Sequence, residues 1–260
     1  MKRTAGFGVT TWSLVALGVL AASLPASAAM VEATGGFDLQ NTGSVWTSSS
    51  VVGYVNGVRA SGYAGIAKFT RTGSENDTAP DILLPNSPEG YFIGICLEFN
   101  EGLQSNTKLW DLKSLSEGPI DANDNPGVPM GARAADLARL LNGVYANWGS
   151  TPADRTFTTA LQLAVWEIAN EDLDSAYNLT ANTGRIYFTS APTAARTLAQ
   201  GWLNKIGNEF NDATQYYRAL TRDGTQDFVV RVVPIPAAAW LLGSGLLGLI
   251  AVGRRKKISA

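Results

Sequence analysis

The sequence predicts an α+β fold: an antiparallel β-sandwich or barrel-like sheet carrying an inserted group of about three helices. Three observations predict it. The first part of the chain is rich in Gly, Ser, Thr and Val and breaks into short runs bounded by Gly, Asn and Pro. The middle switches to apolar residues at helical spacing. The last stretch returns to a strand–turn–strand pattern around Asp223-Gly224.

The elements follow in that order. Runs 44–52, 63–71 and 90–99 read as strands. In the third, Tyr91, Ile93, Ile95, Leu97 and Phe99 alternate onto one face, and Phe92, Gly94, Cys96 and Glu98 share the other. Leu137, Leu140, Leu141, Val144, Tyr145 and Trp148 then form one apolar stripe of an amphipathic helix. A second helix covers 156–169, with Phe157, Leu161, Val165 and Ile168 on one side. A third covers 193–210, with Ala195, Leu198, Trp202 and Ile206 spaced the same way. Segments 215–220 and 226–232 make the closing hairpin.

Composition excludes several chemistries. The chain has 260 residues, no His and one Cys. Without His there is no imidazole base, no Ser–His or Cys–His pair and no His metal ligand. A single Cys allows no internal disulfide and no thiolate-rich metal site. No metal or cofactor is therefore expected. The 20 Lys and Arg against 22 Asp and Glu give a net charge of −2. That is not the basic footprint of a nucleic-acid binder.

Both ends read as address labels. Lys2 and Arg3 precede an apolar stretch at 12–24, then Pro25 and the small-residue run Ala26-Ser27-Ala28-Ala29. This is the pattern of a signal peptide over 1–28, cut by signal peptidase after Ala28. An uncleaved anchor fits less well, because the apolar core is short. Residues 29–231 form the exported domain, and 232–260 a tail. Residues 232–253 carry no charge, and Arg254, Arg255, Lys256 and Lys257 follow at once. The roughly 17 helical residues after Pro236 span about 25 Å, enough for a thin bilayer core. The basic cluster stays cytoplasmic by the positive-inside rule. A plain tail anchor is the bland alternative.

The order Val233-Pro234-Ile235-Pro236, then Trp240, then Gly243-Ser244-Gly245, then Arg254-Arg255 resembles the PEP-CTERM sorting signal. It has Pro-x-Pro in place of Pro-Glu-Pro, with Ile235 at the Glu position. The resemblance implies an exported protein of a Gram-negative bacterium. It would be held transiently in the inner membrane, cut by an exosortase, and released to the cell surface or an extracellular matrix.

Cys96 is the most informative residue of the exported part. An unpaired thiol in an oxidising space is a liability unless it is buried or used. It stands in Gly94-Ile95-Cys96-Leu97-Glu98; Thr159-Ala160-Leu161-Gln162-Leu163-Ala164-Val165-Trp166 follows later. The two segments resemble the paired motifs of the thioester domains of bacterial surface adhesins. Cys96, Leu97 and Glu98 match the first motif, from which Ile95 departs. Leu161, Gln162, Ala164, Val165 and Trp166 match the second. The resemblance implies an internal thioester between Cys96 and Gln162. It would be used once, for covalent attachment to an amine-bearing surface protein or matrix polymer, so the chain is not an enzyme. Trp166, one turn beyond Gln162, is expected to shield the bond, and Glu98 is a candidate assistant in the proton transfer. Glu98 has a bland reading too, as partner of a nearby backbone N–H. The alternative for the whole chain is a non-covalent structural or carbohydrate-binding matrix protein whose Cys96 is buried and inert.

Weaker signals have structural explanations. Residues 121–127 read as a polar turn and not as a calcium loop. Trp46, Trp110 and Trp148 are candidates for sugar stacking, with core packing as the default. Glu167 and Glu171, at i, i+4, read as a solvated helix face.

Overall fold

A computed structural model describes residues 29–37, 48–79, 91–104, 106–119, 130–145, 154–172, 175–180, 182 and 184–233. The signal segment 1–28 and the sorting residues Pro234, Pro236, Trp240, Arg254 and Arg255 lie outside the described residues, as do Trp46, Trp148 and the 121–127 turn. Among the described residues no helix is long and apolar enough to cross a membrane.

The architecture is α+β. Strands β1 (Ala29–Phe37), β2 (Ser49–Val55), β3 (Val58–Ala64), β4 (Ile66–Arg71), β5 (Phe92–Cys96) and β6 (Thr107–Ser114) come first. Helices α1 (Arg133–Val144) and α2 (Arg155–Asn170) follow, then β7 (Ile186–Ser190), α3 (Thr193–Leu203), β8 (Tyr217–Thr221) and β9 (Phe228–Arg231). Six strands close an antiparallel barrel in the order β1-β4-β5-β9-β8-β6. The other three form a separate sheet, β3-β2-β7. The predicted barrel-like sheet is thus a closed barrel, and closure leaves its strands without free edges.

The barrel is filled by rings. Phe69 stacks on Phe92 at 5.1 Å and meets Trp110 and Phe228 edge-on at 5.6 and 4.8 Å. Gly94 is required by this filling: a Cβ there would lie 2.7 Å from Phe69 Cε2 and 3.2 Å from the Phe228 Cβ. All five residues of β5 are buried, so both of its faces are core faces. Trp110 is buried in the same filling, which leaves it no ring face for a sugar.

Three expectations are corrected. The run 63–71 is not one strand; the chain breaks at Gly65, where a Cβ would approach Ser48 Cβ to 2.6 Å. The third helix stops at Leu203 and continues as turns, with Gly207 at φ 83°. The helices are not one contiguous insertion, because β7 separates α2 from α3 and joins the second sheet.

The helix that matters for the site is α2. Asp154 caps its start by accepting the Thr156 N–H at 2.8 Å. Every residue from Thr158 to Ala169 is buried. An amphipathic stripe is therefore not the whole description: α2 packs against α1, α3, β2, β3, β5 and β7 and is enclosed on all sides.

Candidate functional site

Cys96 is the last residue of β5, and the backbone there has a vacancy to fill. The Leu97 N–H donates to the Asp227 carbonyl at 2.9 Å, towards β9. Main-chain groups alternate sides along a strand, so the N–H and C=O of Cys96 face the other neighbour, β4. That strand begins at Ile66, opposite Ile95, and its chain turns away at Gly65. Two buried main-chain groups are left without a strand partner, and burial without one is costly.

Gln162 fills the place. Its Nε2 donates to the Cys96 carbonyl at 2.7 Å, and its Oε1 accepts the Cys96 N–H at 3.2 Å. Both residues have no exposed surface. The two residues singled out in the sequence are therefore brought together, across 66 positions of chain, by a two-point grip. The gripped backbone and the thiol belong to one residue, with only Cβ between Cα and sulfur.

The grip belongs to a longer seam. One turn beyond Gln162, the Trp166 indole N–H donates to the Glu98 carbonyl at 2.9 Å. One turn further, Asn170 Nδ2 donates to the Leu97 carbonyl at 2.9 Å and to the Trp166 carbonyl at 2.8 Å. Gln226 adds a bond from Nε2 to the Glu98 carbonyl at 2.6 Å. Segment 96–98 thus continues β5 with side chains of α2 in place of a neighbouring strand. Trp166 also packs its ring on Phe99 at 4.7 Å and on Phe188 at 6.0 Å.

Glu98 is buried, and its Oε2 accepts the Asp227 N–H at 2.8 Å. This is the backbone-partner role its bland reading describes. Burial pushes the Cys96 thiol well above its ordinary pKa, and the Glu98 charge adds to the rise. Sulfur is therefore held as the neutral thiol.

No family model, curated protein or solved structure matches the chain. The site stands on its own geometry.

Sequence reasoning did not single out Asn170 or Gln226. Asn170 carries a signal in hindsight, since it extends the i, i+4, i+8 row of Gln162 and Trp166. Gln226 carries none, because the turn it follows has no fixed spacing to β5. A further correction concerns Glu167 and Glu171. They are not a solvated face but are 1% and 2% exposed. Glu171 accepts the Asp172 and Arg185 N–H groups at 3.0 and 3.1 Å. Glu167 Oε1 accepts the Asn178 N–H at 2.6 Å, while its Oε2 has no partner among the described residues. Burial raises the Glu167 pKa to about 7.

Proposed function

We propose that this chain is an exported cell-surface or matrix protein whose Cys96 and Gln162 condense to an internal thioester, which then attaches the protein covalently to an amine. The observation that carries the reading is the two-point grip of the Gln162 carboxamide on the main chain of Cys96. The sequence resemblances at the two motifs and at the tail support it independently.

The step balances without a cofactor. Cys96 Sγ attacks Gln162 Cδ, the Cδ–Nε2 bond breaks, and the thiol proton passes to Nε2, which leaves as ammonia. An amide is a poor electrophile, so position must do most of the work; near-attack geometry is worth about 7–11 kcal/mol in well-oriented systems. The Cys96 N–H already points at Oε1, where negative charge develops during attack. The neutral thiol is the weaker nucleophile, so its proton must leave sulfur as the C–S bond forms, and the leaving nitrogen takes it. Attack by a partner amine on Cδ then forms an amide and returns the thiol. One turnover consumes the site, so the protein is a reagent and not an enzyme. Signal peptidase and an exosortase act on its two ends, with the inner membrane as a transient station.

A second reading draws on the same contact. The grip completes the ladder of β5, which a purely structural Gln would also do. In that case Cys96 is an inert core residue of a matrix or carbohydrate-binding protein. Native thiol titration does not separate the two, since a sulfur this buried is silent in both. Denatured intact mass does: the bonded chain is one ammonia lighter than its sequence after processing. Methylamine should add once and leave the chain one CH2 heavier than its sequence, and Cys96→Ala should abolish both the deficit and the adduct. A wild-type chain at full mass that takes up no methylamine refutes the thioester.

A further inference from the structure

Gln162 can present its carboxamide to Cys96 only if α2 is held in one register along segment 96–98. Asn170 sits at the opposite end of the seam from Gln162, two turns away. Its Nδ2 bonds at once to the Leu97 carbonyl and to the last helical turn through the Trp166 carbonyl. It thereby ties the end of the helix to the residue that follows Cys96. Trp166, between them, fixes the Glu98 carbonyl. With three anchors at successive turns, a slide or tilt of α2 breaks all of them together. With the end anchor gone, the last turn of α2 is held to segment 96–98 by Trp166 and by apolar packing, which fixes direction less sharply than a hydrogen bond.

We infer that Asn170 is a positioning residue for thioester formation, acting through the register of α2 on Gln162; this rests on the thioester reading. It touches neither the sulfur nor Cδ. Its half-buried position at the end of the helix makes it replaceable without opening the core. A displacement on the scale of 1 Å at a reacting pair can cost about 100-fold in rate. Loss of one of three anchors is expected to slow bond formation by roughly tenfold or more.

The test follows ammonia loss by denatured intact mass in the full-length chain. Chains recovered unfolded from inclusion bodies still carry the thiol and the carboxamide, and dilution into detergent-containing buffer starts the clock. Wild type is compared with Asn170→Asp, which keeps the shape but loses the donor, and with Asn170→Ala. Val31→Ala, in the core of barrel strand β1, which pairs with β4 and β6, is the stability control. The expected result is slow formation in both Asn170 variants and a wild-type rate in Val31→Ala, although the control unfolds at lower denaturant. Wild-type rates in the Asn170 variants overturn the inference. So does an equal slowing in Val31→Ala, which would mean that rate merely follows stability. A wild-type chain that never loses ammonia is a different failure: it sinks the thioester reading itself, and this inference with it.

Discussion

A bond between Cys96 and Gln162 would close a loop of chain, and the stability it confers can be worked out. The two residues are 66 positions apart. A covalent link across that separation removes loop entropy from the unfolded chain worth about 4 kcal/mol at 25 °C, on the same chain statistics as a disulfide. The Nε2 donor to the Cys96 carbonyl that the link sacrifices offsets about 1–3 kcal/mol of this unless a water replaces it. The net of about 1–4 kcal/mol corresponds, for a domain of this size, to a rise in Tm of roughly 2–16 °C. The cleanest perturbation is methylamine, which opens the link and leaves the sequence unchanged. Cys96→Ala is the genetic counterpart, and loses about 1 kcal/mol more through the missing sulfur in a packed core. The assay is thermal or urea unfolding of the untreated, amine-treated and Cys96→Ala proteins, scanned quickly enough that the thioester of the untreated chain does not hydrolyse first. The treated and mutant proteins should both unfold below the untreated one. If the untreated protein is no more stable than the amine-treated one, no covalent loop exists in the folded chain, whatever the hydrogen bonds look like.

Three further outcomes follow from the contacts. In a Cys96→Ala background, where no link can form, Gln162→Met keeps the volume but strands the N–H and C=O of residue 96; urea unfolding should show a loss of about 2–4 kcal/mol. Glu167 carries a raised folded pKa of about 7 against 4.5 for an ordinary glutamate. The native state therefore holds its proton more tightly than the unfolded chain. The Glu167 contribution to stability is greatest below pH 4.5, falls as pH rises to about 7, and is flat above; Glu167→Gln should remove this fall, about 3 kcal/mol, from a pH series of unfolding curves. Gly53→Ala would place a Cβ 2.5 Å from the Tyr187 carbonyl oxygen and 3.0 Å from Phe99 Cε1. The β2–β7 pair must spread, so the urea midpoint should drop by an amount equivalent to roughly 1–3 kcal/mol.

What the sequence made legible depended on how local the cause was. The Asp223-Gly224 hairpin, the strand at Cys96 and the two central helices are set by turn residues and apolar spacing within one short window, and their cores lie where that spacing puts them. Strand β3 was illegible for the opposite reason. It is an edge strand with Arg59, Ser61 and Tyr63 outward and Ala60 and Gly62 inward, so nothing in it contrasts. Strand β6 does alternate, with Trp110 and Leu112 buried between less buried Leu109, Asp111 and Lys113; it was missed although its signal is present. The burial of Glu167 and Glu171 could not be read at all. A helical wheel assumes one wet face, and α2 has none, because β5, β7 and the second sheet enclose what the wheel leaves open. The Cys96–Gln162 pairing was visible as two short motifs, but the reason they meet was not. That reason is the start of β4 at Ile66, opposite Ile95 and one residue short of a partner for Cys96, a tertiary event.

On the proposed thioester reading, that vacancy would also order the events in time. With its carboxamide intact, Gln162 satisfies both main-chain groups of Cys96, so the folded chain needs no chemistry to be stable. Condensation would remove Nε2 and with it the donor to the Cys96 carbonyl, a loss of about 1–3 kcal/mol unless a water takes the vacated position. Folding would then have to come first and hold the reactants against that cost. The anchors that would survive such a reaction are Trp166 on the Glu98 carbonyl, Asn170 on the Leu97 carbonyl and Gln226 from the far side. None of their bonds involves an atom that would leave. A site built only from the Cys96–Gln162 contact would loosen as it reacted. One whose register is set at the neighbouring residues would stay closed over the acyl link until a partner amine reached it.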